Sequence, residues 1–231
     1  MPEQLVVENY AESVPDDFKF TIKLPNALTL THYYGGKKLN PYFLNPEFFN
    51  EFIKTIAPLH KKIGVLMFQF EYMNKTKMSG LSELAERFEI FLSNIASPYQ
   101  LAIEIRNPWY LNKYYFDFLQ RNNLSHIYLQ GYFMPPIFDS FNKFKDKVLS
   151  PVVIRLHGPD RKEIEELTGS NWNHIVSPKD EELPNVVDMI NYFSSKKIDV
   201  YLNVNNHYEG SAPLTIKKIQ QLLQTQSKIN P

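Results

Sequence analysis

Two short runs carry the side chains best suited to chemistry. In "EIR", Glu104 and Arg106 are two residues apart, and in "VIRLHG", Arg155 and His157 have the same spacing. Successive side chains of an extended chain alternate between faces, so each pair shares a face if its run is a strand. A carboxylate beside a guanidinium sets a proton acceptor next to an anion clamp. An imidazole in the same place adds a group that exchanges protons near neutral pH. Glu104 and His157 are therefore the candidate catalytic residues, and Arg106 and Arg155 the candidate clamps. Each has a structural alternative. Glu104, Arg106 and Arg155 could form a buried ion cluster, and His157 could be a neutral ring satisfied by backbone.

Five further residues complete the candidate ligand-binding set. Lys23 ends "FKFTIKL", where an ammonium acts as a point charge on a phosphate or carboxylate. His32 closes "TLTH". Gln69 lies in "MFQF", and Asn203 and Asn205 lie in "NVNNHYEG". Their amides offer fixed donors and acceptors but transfer no protons at neutral pH. Trp109, after "EIRNP", could stack on a ligand or pack into the core. Cations, amides and one carboxylate suit a small anionic ligand, phosphorylated or carboxylated. A nucleic-acid-binding or phosphodiester-acting protein is the first alternative, and a non-catalytic scaffold the second. Metal chemistry needs several His, Asp and Glu converging. Beyond Glu104 only Glu71 and Glu209 are available to join His32, His157 and His207, so no metal site is expected. A phosphate-cradling glycine loop is absent, and Gly35-Gly36 marks only a turn. No cofactor is therefore named.

Six runs with strand character place these residues: 18–24, 63–70, 100–106, 125–130, 151–157 and 199–205. Segments with apolar spacing near 3.6 lie between them, at 45–62, 81–95, 112–122, 160–169 and 182–197, and one follows the last, at 212–226. Asn45 is placed to cap, and Pro46 sits at a first helical position. Segments 131–150 and 168–180 read as long loops. Strand–helix alternation predicts a parallel sheet with crossover helices. On one parity the strand ends carry Lys23, Gln69, Glu104 and Arg106, Tyr128 and Gln130, Arg155 and His157, and Asn203 and Asn205. The other parity is apolar throughout. An open doubly wound sheet is covered by helices on both faces and reads apolar on both. A TIM-type (β/α) barrel has an apolar outer face and gathers its site at the C-terminal mouth. The expected fold is therefore α/β, a parallel TIM-type barrel with six recognisable strands of eight.

Composition sets the frame. The chain of 231 residues is 43% hydrophobic and 14% aromatic, enough for a substantial single core. Basic and acidic residues number 25 each, so no net field draws nucleic acid or an anionic membrane. With no cysteine there is neither a disulfide framework nor a thiolate metal site. The opening residues lack the basic and apolar runs of a secretory signal, and no run approaches the roughly 20 residues of a membrane span. A cytoplasmic location is expected.

The runs "FKFTIKLP", "LTLTH", "GVLMFQFE", "LAIEIRNPWY", "VVIRLHG" and "VYLNVNNHYEGSAP" are similar, in order, to the strand motifs of the YecE-like family, a domain of unknown function. The resemblance runs from about Ser13 to the last helix and implies a single TIM-type domain over residues 1–231, with no established reaction. Members usually begin with a "GTSGW"-like strand, a helix and a "VEINSTFY"-like strand. These are missing here, so the first βαβ segment is expected to be absent. The loss would leave sheet edges that invite self-association.

Overall fold

The structure, a computed structural model, describes residues 1–158 and 161–229. It contains two compact units, Met1–Ser125 and His126–Pro231. The first unit runs α1 (Gln4–Glu12), β1 (Phe20–Lys23), α2 (Asn26–Thr29), α3 (Pro46–Thr55), a 3-10 segment (Ala57–Lys62) and β2 (Ile63–Gln69). It continues with α4 (Leu81–Ser93), β3 (Leu101–Glu104), a 3-10 turn (Pro108–Tyr110) and α5 (Lys113–Arg121). Strand β2 is central and pairs in parallel with β1 and β3.

Register shows how the sequence builds two faces. Ile22, Leu66 and Leu101 are neighbours on one face, with Phe68 beside Ile103 on the next layer. Helices cover that face. The rings of Phe49 (α3), Phe88 and Phe91 (α4) pack on Phe68 with centroids 6.2, 4.9 and 5.6 Å away. Each fully buried aromatic of this kind contributes roughly 1.5–3 kcal/mol. The cap expected at Asn45 is present: Phe48 N donates to its Oδ1 (2.7 Å) at the start of α3. Tyr115 N donates to Asn112 Oδ1 (3.2 Å) at the start of α5. The opposite face carries Lys23, Met67 and Ala102 in one layer and Gln69 beside Glu104 in the next.

The second unit holds β4 (Ser125–Gly131, which starts at the boundary), α6 (Ile137–Phe144), a 3-10 turn (Lys145–Lys147) and β5 (Val152–Gly158). Then follow α7 (Arg161–Thr168), α8 (Leu183–Ser195), β6 (Val200–Val204) and α9 (Ala212–Ile229). Strand β5 is central and pairs in parallel with β4 and β6. This unit departs from the sequence pattern in two places. The segment 131–150 is not all loop, because Pro136 opens a short amphipathic helix whose Ile137, Ser140 and Phe141 are buried at helical spacing. At β4 the parity is reversed. Arg155 lies beside Leu129 and Asn203, whereas Tyr128 lies beside Ile154. Tyr128 therefore faces the helices, with Phe141 and Phe193 at 6.4 and 6.0 Å. Gln130 also serves the helix side. Its Oε1 accepts from Ile137 N (3.0 Å), and its Nε2 donates to Glu182 (2.9 Å).

The predicted helix start at Asp160 lies outside the described residues. The segment 168–180 is a loop as expected, apart from its first residue, which ends α7. Six parallel strands interleaved with helices make an α/β fold, consistent with the TIM type. Among the described residues no helix is long and apolar enough to cross a membrane.

Candidate functional site

Each unit gathers its own part of the candidate set. In the first, β3 ends at Glu104, two residues earlier than the sequence run suggests, and Pro108 opens a 3-10 turn shortly after it. Asn107 is buried and exchanges two hydrogen bonds with the backbone of Met73, accepting from its N (2.9 Å) and donating to its O (2.8 Å). That clamp holds the turn on which Arg106 sits. Arg106 Nε then reaches Glu104 Oε1 at 3.2 Å, with the Glu104 side chain 0% exposed and that of Arg106 28%. Gln69 is the register neighbour of Glu104, and Lys23 belongs to the layer below.

His32 belongs to a different arrangement, in the loop after α2. It forms an antiparallel bridge with Leu39, and its Nδ1 lies 3.0 Å from Thr31 Oγ1. Thr31 in turn donates to Glu71, which also receives Lys77. Trp109 is 59% exposed and so is not a core ring. It meets Tyr72 edge to face at 5.7 Å.

In the second unit, Arg155 and Asn203 stand side by side on one face of the sheet. His157, two residues beyond Arg155, has Tyr132 Oη at 2.6 Å from its Nε2 and Asn205 Nδ2 at 3.5 Å. Two glycines make this proximity feasible. A Cβ on Gly131 would stand 2.4 Å from Gly158 O, and one on Gly158 would stand 2.2 Å from His207 O. Both also adopt positive φ, which favours glycine. The His207 ring stacks over that of His157 with centroids 6.0 Å apart. Its Nε2 lies 3.3 Å from Glu165 Oε1. Hydrogen bonding from Arg161 holds the Glu165 carboxyl below the usual carboxylate range, with His207 adding to the effect.

Glu209 has a structural role. Fully buried, it accepts from Thr215 (2.7 Å), Lys218 (3.0 Å) and the Lys179 amide (2.8 Å), tying the 174–182 loop to α9. Burial opposes the charge on Lys218, yet Asp180 and Glu209 hold its pKa above the ordinary lysine value. No cluster able to hold a metal ion occurs among the described residues. Sequence reasoning missed Tyr132, because its segment was read as loop, and the partnership of Thr31 with Glu71, which spans 40 residues.

Two solved structures resemble this chain. A DUF72 family protein from Enterococcus faecalis V583 matches at 19% identity with a TM-score of 0.66, covering 96% of this chain and 80% of that one. A DUF72 family protein from Thermotoga maritima MSB8 matches at 19% identity with a TM-score of 0.64, covering 97% and 80%. At such identity they show the fold alone. No curated protein matches the sequence. The family model described as "Protein of unknown function DUF72" matches residues 1–231, the same family that the strand motifs resemble, and the chain belongs to it.

Proposed function

We propose that the protein binds a small anionic ligand, phosphorylated or carboxylated, at the C-terminal strand ends of the second unit, where His157 exchanges a proton with it. The observation that carries this reading is the shared face of Arg155 and Asn203, with His157 beyond them. A guanidinium fixes a carboxylate or phosphate through paired N–H donors, and the neighbouring amides orient its remaining oxygens. Tyr132 supplies a hydroxyl to the imidazole, giving the ring a partner through which a proton can pass. In the first unit Glu104, held by Arg106, with Gln69 and Lys23 on the same face, forms a second polar strand end of the same character.

Calorimetric titration with inorganic phosphate and with succinate tests the reading. Arg155→Gln should weaken the better ligand by about tenfold or more, the effect of losing a charge-assisted hydrogen bond. His157→Gln, which keeps a polar side chain, should change affinity much less. Unchanged affinity in Arg155→Gln, or no binding of either anion at millimolar concentration, would overturn it.

A further inference from the structure

We infer that the first unit holds a separate acid–base site in which His32 is the proton acceptor, for a ligand that carries a hydroxyl beside an anionic group. Thr31 and Glu71 are its positioning residues. The protons around Thr31 can be counted. Thr31 Oγ1 lies 2.9 Å from Glu71 Oε1 and 3.0 Å from His32 Nδ1. A hydroxyl has one proton, and both neighbours are able to accept it. The carboxylate is the stronger claimant, because hydrogen bonds to a charged acceptor are roughly twice as strong as those between neutral groups. Glu71 is well placed to hold that proton. Its Oε1 also accepts from Thr31 N (3.0 Å), and Lys77 pairs with Oε2.

With the hydroxyl proton directed at Glu71, Nδ1 of His32 faces an oxygen lone pair. Two lone pairs 3.0 Å apart repel, so Nδ1 must carry the ring proton. That assignment leaves Nε2 as the bare, basic nitrogen. The second hydrogen-bonding partner of a histidine selects its tautomer in this way, and the relay from Glu71 through Thr31 does so here.

The backbone that carries the relay is held on both sides. Asn40 N donates to Thr31 O (3.0 Å), and Tyr33 N donates to Lys38 O (3.0 Å), bracketing the His32–Leu39 bridge. The Asn40 amide adds bonds of 2.7 Å each to the carbonyls of Ala27 and Leu30. His32 lines a cleft of about 570 Å³ whose wall carries Lys75, Lys77 and Arg87 against the carboxylate of Glu83, which pairs with Arg87, while Lys77 pairs with Glu71. A basic ring nitrogen calls for a proton donor on the ligand, and the excess of positive charge that Lys75 leaves on the wall beside the Lys77–Glu71 and Arg87–Glu83 pairs favours an anion. A phosphate monoester and a hydroxy acid share that chemistry.

Long-range ¹H–¹⁵N correlation spectra of the histidine rings test the assignment without any ligand. With the ring neutral, wild type should show His32 as the Nδ1–H form, and Thr31→Ser should keep it. Thr31→Val preserves the shape of this buried residue but removes the hydroxyl. It should lower the ratio of Nδ1–H to Nε2–H by about tenfold, the factor expected for one lost hydrogen bond. A wild-type ring already in the Nε2–H form, or a tautomer indifferent to Thr31→Val, would overturn the proposal. Titration with inorganic phosphate and with lactate then reads the ligand. A shift of the His32 Nε2 resonance with phosphate supports a phosphorylated ligand, and one with lactate supports a hydroxy acid. A response to neither overturns the site. Arg155→Gln should leave every one of these readings unchanged, so the outcome is distinct from that for the second unit.

Discussion

At Glu104 the energetics of one carboxylate decide between strut and tool. Its side chain is 0% exposed and meets Arg106 Nε at 3.2 Å, while the Arg106 side chain keeps 28% of its surface. Glu104→Gln preserves size and much of the hydrogen bonding but removes the charge that faces the Arg106 guanidinium. Removing one partner of a fully buried pair costs roughly 3–5 kcal/mol, and contact of Arg106 with water softens that. The expected loss is about 2–3 kcal/mol, read by urea denaturation of both proteins. A loss below about 1 kcal/mol would show that Arg106 is already solvated and that the carboxylate is held for something other than stability. The residue types at such points were legible, since "EIR" announces a charged pair on one strand face. The burial was not, because whether a charge at a strand end meets water depends on groups from distant parts of the chain.

Among the elements, β4 shows where alternation misleads. A period of two says that Tyr128 and Gln130 share a face, and they do, but it does not say which face. Polar atoms on both residues suggested the site side, whereas register puts Tyr128 beside Ile154 in the helix-covered core. Ile127 and Leu129 then occupy the face of Arg155, so apolar residues sit where polar ones were expected. The Tyr128 hydroxyl is buried without a hydrogen-bond partner among the described residues. A buried hydroxyl with no partner costs about 1–3 kcal/mol relative to its hydrated state. Tyr128→Phe removes that cost while keeping the ring against Phe141 and Phe193, and should raise stability by about 1 kcal/mol. A clear loss in thermal or urea unfolding would mean that the hydroxyl has a partner after all. Elements with strong end signals were easier to read, as Asn45 and Pro46 show at the start of α3, whereas α6 is too short to stand out between prolines and lysines.

For the molecule as a whole, ordered strand motifs revealed the family and the parallel α/β class, because both rest on patterns that recur along the chain. Contacts such as Thr31 with Glu71 do not repeat and left no such pattern. Equal numbers of acidic and basic residues say little about pH, and a single buried ring says more. His126 is fully enclosed, and burial pushes its pKa down to about 3. The Tyr128 ring stands edge-on to it at 4.4 Å. In the unfolded chain the same imidazole titrates near 6.5. Above that pH both states hold it neutral, and stability does not depend on it. As pH falls below 6.5 the unfolded state takes up a proton that the native state refuses, and stability declines by about 1.4 kcal/mol per pH unit until the native pKa is reached. Between about pH 7.5 and pH 5 the loss from this residue is about 2 kcal/mol. His126→Phe abolishes the titration whatever its effect at neutral pH. Its stability, measured by urea denaturation at the two pH values, should therefore fall by about 2 kcal/mol less than that of wild type. Equal declines in the two proteins would mean that the native His126 ring takes up its proton as readily as the unfolded chain does, and its burial would then carry no acid sensitivity.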